Sequence, residues 1–490
     1  VTVVSSLLLC DVRLGLRGPK VDVALAGGRV SAIGPDLART GDVIDCRGGT
    51  LLPGLVDAHV HAAQWASSRR RIPLAQAKSA AEAVDMIVGG LVARPAGAGE
   101  LVMGHGFRDG AWPDEPHKDM LERVLPGQPV ALFSNDLHTL WLSPAALRLI
   151  GREHPTGVLL ENDCMAATAA LPSVSDAMLD DWVLTAMDAA AARGVTGIVD
   201  YEYADTAVDW LRRLALRPLS VRVSAVIARP LLDTAIERGY RTGDVVPGSD
   251  GMVAVGPYKL FVDGSLNTRT AYCHDPYPGQ DSHGLLELPF DELVPLMDKA
   301  SRNGISPAVH AIGDHANTIA LDAFARVGCS GRIEHAQLVH PDDLPRFAEL
   351  GVIAGVQPAH QPDDRDVADQ HWPDRTANAF PYAALLAAGA TLEIGSDAPV
   401  APLDPWDGIA SAVSRTDDAR QPWHPEQTIL FPIALAAASN GRAGVAVGDV
   451  ADLMVVAVDP STVAPPELRE IPVTATLVGG RLTHQDVAAR

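Results

Sequence analysis

The sequence predicts an α/β protein: a (β/α)8 TIM-like barrel, a small β-sandwich domain built from both chain termini, and an insertion after the first barrel strand. Three observations predict this. Eight apolar runs of strand length alternate with alanine-rich helical stretches, the two chain ends carry matching β-rich segments, and one Gly/Pro-punctuated stretch interrupts the alternation. The 490 residues, 47% of them hydrophobic and 20% charged, are ample for a large buried core.

The terminal segments come first. Near the start, residues 21–26 and 29–33 are β-rich runs joined by Gly27-Gly28, and near the finish residues 473–478 and 481–484 are joined by Gly479-Gly480. A Gly-Gly pair accepts the positive φ of a tight primed turn, so each pair reads as a β-hairpin. Residues 1–9 and 451–458 add two further β-branched runs. Neither end has enough strands to close a core alone, so the two are expected to combine. The expected boundaries are 1–52 and 441–490 for the two parts of the sandwich, with the barrel at 53–440.

The barrel strands are expected at residues 50–58, 197–201, 221–227, 252–262, 305–311, 332–338, 352–357 and 391–395. Eight is the closure number, and several runs end in polar or ionisable residues, as at the C-terminal face of such a barrel. Residues 64–175 are far too long for a βα loop and helix, so they read as an inserted subdomain over the barrel mouth.

Composition excludes some functions. With 39 Lys+Arg against 61 Asp+Glu the formal charge is −22, and the pI is near 5.0. Such a surface repels a polyanion, so nucleic acid is not an expected partner. No run of 18 uncharged apolar residues suggests a membrane span. The N-terminal residues lack the basic start and cleavage site of a signal peptide. Five scattered cysteines without a C-x-x-C pair argue against disulfides and thiolate zinc sites, and a reducing, cytoplasmic setting is expected. The expected partner is a small-molecule substrate, and a homodimer is left open.

The chemistry concentrates at strand ends. His59 and His61 close the first barrel strand, and alternation sends both imidazoles the same way, about 6–7 Å apart along the backbone, within reach of one divalent ion. His310 ends the fifth strand, His335 lies on the sixth, and Asp397 follows the eighth. Any one of these could be a core or capping residue, but together at one barrel mouth they read as a metal set. Lys259, on the apolar fourth strand, is costly to bury charged. It could add CO2 to form a carbamate bridging two metals, pair with Asp263 or Asp397, or contact substrate. Arg269 could clamp a substrate carboxylate, and His138 and His360 are further pocket candidates. Trp65, Trp112, Trp372 and Trp406 flank the expected mouth loops.

The series His59-x-His61, Lys259, His310, His335 and Asp397 resembles the metal set of the amidohydrolase superfamily. The phrases Lys259-Leu-Phe-Val-Asp-Gly-Ser-Leu, His310-Ala-Ile-Gly-Asp, Ile333-Glu-His335-Ala and Gly395-Ser-Asp397-Ala-Pro-Val resemble its YtcJ-like (amidohydrolase 3) branch, which includes N-substituted formamide deformylases. That resemblance implies a metal-dependent hydrolase acting on amide or related C–N bonds. A divalent ion lowers the pKa of bound water toward about 7 and polarises a carbonyl, which suits the task. On this reading His59, His61 and Asp397 hold the more buried metal, while His310 and His335 hold a second bridged by carboxylated Lys259. Asp397 is the general base and then acid. With a single metal, His310 or His335 would stabilise the oxyanion. Zinc is the expected ion, two per chain if Lys259 is carboxylated and one otherwise. The alternatives are a metal-dependent lyase, deaminase or decarboxylase on the same scaffold, or a non-catalytic binding relative.

Overall fold

The computed structural model describes residues 6–486 apart from residues 40, 94, 98 and 173. All eight apolar runs become neighbouring strands of one parallel sheet. They are β1 (Leu55–Val60), β2 (Val195–Asp200), β3 (Arg222–Ile227), β4 (Val253–Phe261), β5 (Pro307–Ala311), β6 (Gly331–His335), β7 (Val352–Val356) and β8 (Leu392–Ile394). The strands are short, β-branched and buried on both faces, which is what a sheet wrapped by helices requires. The ring closes just past β8, where Val60 and Ala398 form a parallel bridge. There the Asp397 amide donates to the His59 carbonyl at 2.7 Å, and the His61 amide donates to the Ala398 carbonyl at 2.8 Å.

The helices outside the ring bury one stripe each. In Asp314–Val327, Ala316, Ala320, Leu321 and Phe324 turn inward, and the helix stops at Gly328 in the left-handed region.

The first apolar run serves two sheets. Thr50–Pro53 belongs to a sheet formed by the termini, and β1 begins only at Leu55. Between them a Cβ on Gly54 would lie 2.1 Å from the Thr196 side chain, so only glycine lets the chain pass this close to β2.

The termini meet as expected in one eight-stranded mixed sheet. Its order is Arg481–Gln485, Val473–Val478, Leu453–Val456, Thr50–Pro53, Leu7–Leu14, Lys20–Ala26, Arg29–Gly34, with Asp42–Asp45 also paired to Leu7–Leu14. Of the strand expected at residues 1–9, residues 1–5 lie outside the described residues. Both Gly-Gly turns have positive φ at each glycine, as primed turns demand. Leu9, Val12, Val23, Leu51, Leu453 and Leu477 form this sheet's own core.

The insertion is a second small α/β layer. Its sheet runs Val158–Leu160, Thr139–Leu142, Val130–Ser134, Val102–Phe107, Ile72–Pro73. Alternation splits its apolar residues between two cores. Val130, Leu132 and Trp141 face the helix Ala80–Ala93, while Ala131, Phe133 and Leu140 face the opposite way. Polar contacts tie this layer to the barrel mouth. His105 Nε2 donates to the Pro399 carbonyl at 3.2 Å, the Asn135 amide to the Val400 carbonyl at 2.7 Å, and Arg108 pairs with Asp363 at 2.5 Å.

All five cysteines carry free thiols. Among the described residues no helix is long and apolar enough to cross a membrane.

One ion cluster outside the barrel gives a stability test. Asp180, with its side chain 2% exposed, takes Arg212 Nε at 2.6 Å and Arg213 Nε at 2.9 Å, and Arg213 is itself 3% exposed. Burial works to raise the Asp180 pKa, but the two guanidiniums hold it below the usual carboxylate range. Asp180→Asn should cost about 3 kcal/mol at neutral pH, because Arg213 is left buried without a counter-charge. A depressed carboxyl stabilises fully above its unfolded pKa of about 3.9 and progressively less as pH falls below it. The gap between parent and variant in urea-unfolding midpoint should therefore close below about pH 4. A gap that is constant from neutral pH down through that range would contradict this account.

Candidate metal centre

The centre is built where β1 meets the segment after β8. His59 lies in β1, and His61 caps the helix Ala62–Ser68. Acids at the end of β2 set the start of that helix. Asp200 accepts from the Ala62 amide at 3.1 Å, and Glu202 accepts from the Ala63 and Gln64 amides at 3.1 Å. Three of the helix's otherwise orphaned amides are satisfied this way, which holds His61 in place. The two imidazoles lie 5.6 Å apart between ring centres.

Asp397 enters from the other side of the closure. Its φ is +56°, unusual for a residue with a Cβ, and its Oδ1 lies 3.6 Å from His59 Nε2 and 3.4 Å from His61 Nε2. Ligand atoms held tetrahedrally at about 2.0–2.1 Å from a zinc ion sit about 3.3–3.4 Å from one another, so the three donors are spaced to share one ion. Their ligand atoms all fall within 4.8 Å of each other.

The remaining nitrogen of His59 is already used. Nδ1 donates to Glu334 Oε2 at 2.6 Å, which leaves the Nε2 lone pair directed at Asp397. Glu334 is fully buried; its Oε1 accepts from the Tyr201 hydroxyl at 2.8 Å and from Arg332 Nε, and Arg332 pairs in turn with Glu393 at 2.7 Å. Burial works to raise the Glu334 pKa, but Arg332 and His59 hold it well below the usual range. The His59 ring stacks on Tyr201 with centres 3.9 Å apart. Burial and the Lys259 charge lower His59 to about 4, and the same two causes lower His310 to about 3. Burial, with the His310 charge, holds His335 well below its ordinary value. These imidazoles are therefore neutral at physiological pH and keep lone pairs for an ion. For Asp397, burial is outweighed by His59 and its neighbours, so the carboxyl stays ionised.

A second group joins His335 and His360 to the same Asp397. His335 turns off the end of β6 with φ +77°, and His360 Nε2 donates to the Ser396 carbonyl at 3.2 Å. His360, a pocket candidate in the sequence, thus stands among the metal-spaced donors. His310 belongs to neither group. Its ring lies 4.5 Å from that of His335, and its Nε2 donates to the Gly264 carbonyl at 3.0 Å.

Lys259 projects from β4 between two aromatic faces, with Nζ 4.6 Å from the Tyr201 ring centre and 4.7 Å from that of Phe261. Among the described residues its Nζ has no carboxylate within ion-pair distance. Burial lowers its pKa to about 8, against the opposing charges of Glu334 and Asp397. Asp263, one of the pairing partners considered for it, instead accepts the amides of Tyr272, Ile312 and Gly313 at 2.8–3.0 Å.

The outer candidates make contacts of their own. His138 pairs with Glu161 at 2.5 Å, and although burial opposes it, that carboxylate raises the imidazole to about 9. Glu161 also accepts from the hydroxyls of Thr268 and Thr270. Arg269 is exposed, with φ +60°. Glu334, Tyr201 and Arg332 were not singled out by sequence. One signal was present: Arg332-Ile-Glu334 puts opposite charges on the same face of a buried strand, beside a candidate ligand.

Comparison with known proteins follows this geometry. The model of the amidohydrolase family matches residues 42–484, and the chain belongs to that family. It is 27% identical to the putative amidohydrolase YtcJ of Bacillus subtilis, with 90% of each chain covered. It is 25% identical to the N-substituted formamide deformylase of Arthrobacter pascens, covering 94% of each. In fold it resembles an uncharacterized metal-dependent hydrolase from Pyrococcus horikoshii OT3 with a TM-score of 0.78 at 24% identity, covering 94% of this chain and 99% of the other.

If Glu334 orients His59 for an ion, Glu334→Gln should weaken metal binding about 10–100-fold, measured by equilibrium dialysis against zinc. Unchanged affinity in a folded variant would remove Glu334 from the centre.

Proposed function

We propose that this amidohydrolase-family protein is a metal-dependent hydrolase that cleaves an amide or related C–N bond of a small molecule, with Asp397 moving the proton. The convergence of His59, His61 and Asp397 at metal-ligand spacing carries this reading. The deformylase relative supports the bond type.

His59, His61 and Asp397 would hold one divalent ion, zinc by the chemistry of the donors. His335, with His310 or His360, would hold a second. Lys259 would bridge the two as a carbamate, formed when CO2 adds to its neutral amine and a proton leaves. Burial, with no carboxylate paired to Nζ among the described residues, lowers its pKa to about 8 and so raises the share of neutral amine open to CO2. When bound, the ion lowers the pKa of a water and draws electrons from the scissile carbonyl.

The chain's own groups do the rest. Asp397 Oδ2 accepts the proton of the attacking water and returns it to the departing nitrogen, general base and then general acid at one carboxylate. Its ionised state suits the first step. Glu334 holds the His59 tautomer throughout. In the single-metal case His335 would donate to the developing oxyanion, whereas neutral His310 has its one N–H on the Gly264 carbonyl. Exposed Arg269, and His138 paired with Glu161, would meet the distal part of the substrate. The free thiols fit a reducing, cytoplasmic setting.

A panel of N-formyl and N-acyl amines should yield equimolar acid and amine. Loss of substrate without that pair of products would move the protein to lyase or deaminase chemistry. Asp397→Asn should keep the fold and much of the metal while losing most turnover, at least about 10²-fold in kcat. Near-normal turnover would exclude the proton-transfer role. Lys259→Ala should reduce metal content, read by elemental analysis, to one ion per chain or fewer, and an unchanged two-metal content would reject the carbamate.

A further inference from the structure

Most arginines here are matched to carboxylates or carbonyls. The fully buried Arg415 donates to the carbonyls of Trp423 and Phe380, and Arg108 has Asp363. Arg71 has no such partner. It follows the helix that His61 caps, and its guanidinium lies 4.1 Å above the Phe133 ring of the insertion. Its Nε is sealed from solvent without a partner, and among the described residues its side chain makes no hydrogen bond or ion pair.

Its surroundings are polar and equally unsatisfied. His105, paired with Phe133 across the insertion sheet, feels the charges of both Arg71 and Arg108. The buried His105 Nδ1 and Arg108 Nε also lack partners. His105 Nε2 donates to the Pro399 carbonyl, two residues beyond Asp397, which ties this group of side chains to the segment that carries the metal-spaced carboxylate. The two guanidinium nitrogens are donors without an acceptor, whereas neutral His105, with its one N–H on the Pro399 carbonyl, offers a lone pair at Nδ1. Arg108 is paired with Asp363, and among the described residues no carboxylate lies within ion-pair distance of Arg71. In a chain of formal charge −22, which repels anions at large, a sheltered unpaired cation beside the site is a local device for holding one.

We propose that Arg71 is the anchor for a carboxylate on the substrate, so that the amide cleaved carries an acidic group on its distal side. The planar guanidinium suits a two-point grip on a carboxylate, and the Phe133 ring holds the fork flat. This inference rests on the hydrolase reading for the word substrate, though the anion site itself does not need it.

Titration calorimetry on zinc-loaded Asp397→Asn protein with N-benzoylglycine and with its uncharged primary amide tests the proposal. The acid should bind about 10–100-fold more tightly than the amide, and adding Arg71→Met should abolish that preference. Arg71→Met should also unfold at or above the parent temperature, since it removes a half-buried cation whose Nε has no partner, whereas a structural arginine would leave the variant less stable. Equal binding of acid and amide, no binding of the acid, or an unchanged preference in the variant overturns the proposal. If the acid binds through Arg71 but no amide is hydrolysed by the parent, the hydrolase reading fails and the anion site stands.

Discussion

Closure of the barrel between β1 and the segment after β8 is the constraint on which the centre depends. Two backbone hydrogen bonds, Asp397 to His59 and Ala398 to His61, stitch the last barrel segment to the first. They also force the Asp397 carboxylate in front of both imidazoles. The left-handed backbone at Asp397 and His335 carries an energetic cost for residues with a Cβ, of about 1–3 kcal/mol each, and persists because the surrounding structure over-determines it. Asp57 reinforces the seam from behind, taking the Ser396 amide at 2.8 Å and the His59 amide at 3.3 Å.

Beneath the seam lies a line of buried charge. Glu334 would be expensive in isolation, but it is met by His59, Tyr201 and Arg332, and Arg332 is met by Glu393. Such a network adds little net stability compared with apolar packing. What it does provide is a fixed ring orientation and tautomer for His59. The same burial keeps the neighbouring histidines neutral, so desolvation, usually a penalty, here prepares the lone pairs.

The mouth is organised differently. The insertion touches the barrel through polar contacts rather than a shared apolar core: Arg108 on Asp363, Glu161 on Thr268 and Thr270, and His105 on a backbone carbonyl. Such contacts set geometry without large apolar burial. The seam therefore positions the centre, and the inserted layer is fixed over the barrel mouth by these contacts.

The sequence by itself determined the eight-strand barrel, the pairing of the termini and the strand-end positions of His59, His61, His310, His335 and Asp397. These follow from local rules: alternation within a strand, Gly-Gly turns, and apolar runs punctuated by polar residues. Tertiary structure decided the rest. That His360 rather than His310 shares metal spacing with His335 and Asp397 depends on how a helix begins after β7, and no periodicity encodes that. Lys259 lies between the Phe261 ring of its own strand and the Tyr201 ring just past β2, two strands away, and Arg71 is left unpaired, only because distant segments pack as they do. Periodicity reports which face a side chain takes, whereas the partner it meets there is set by the closure of the whole ring.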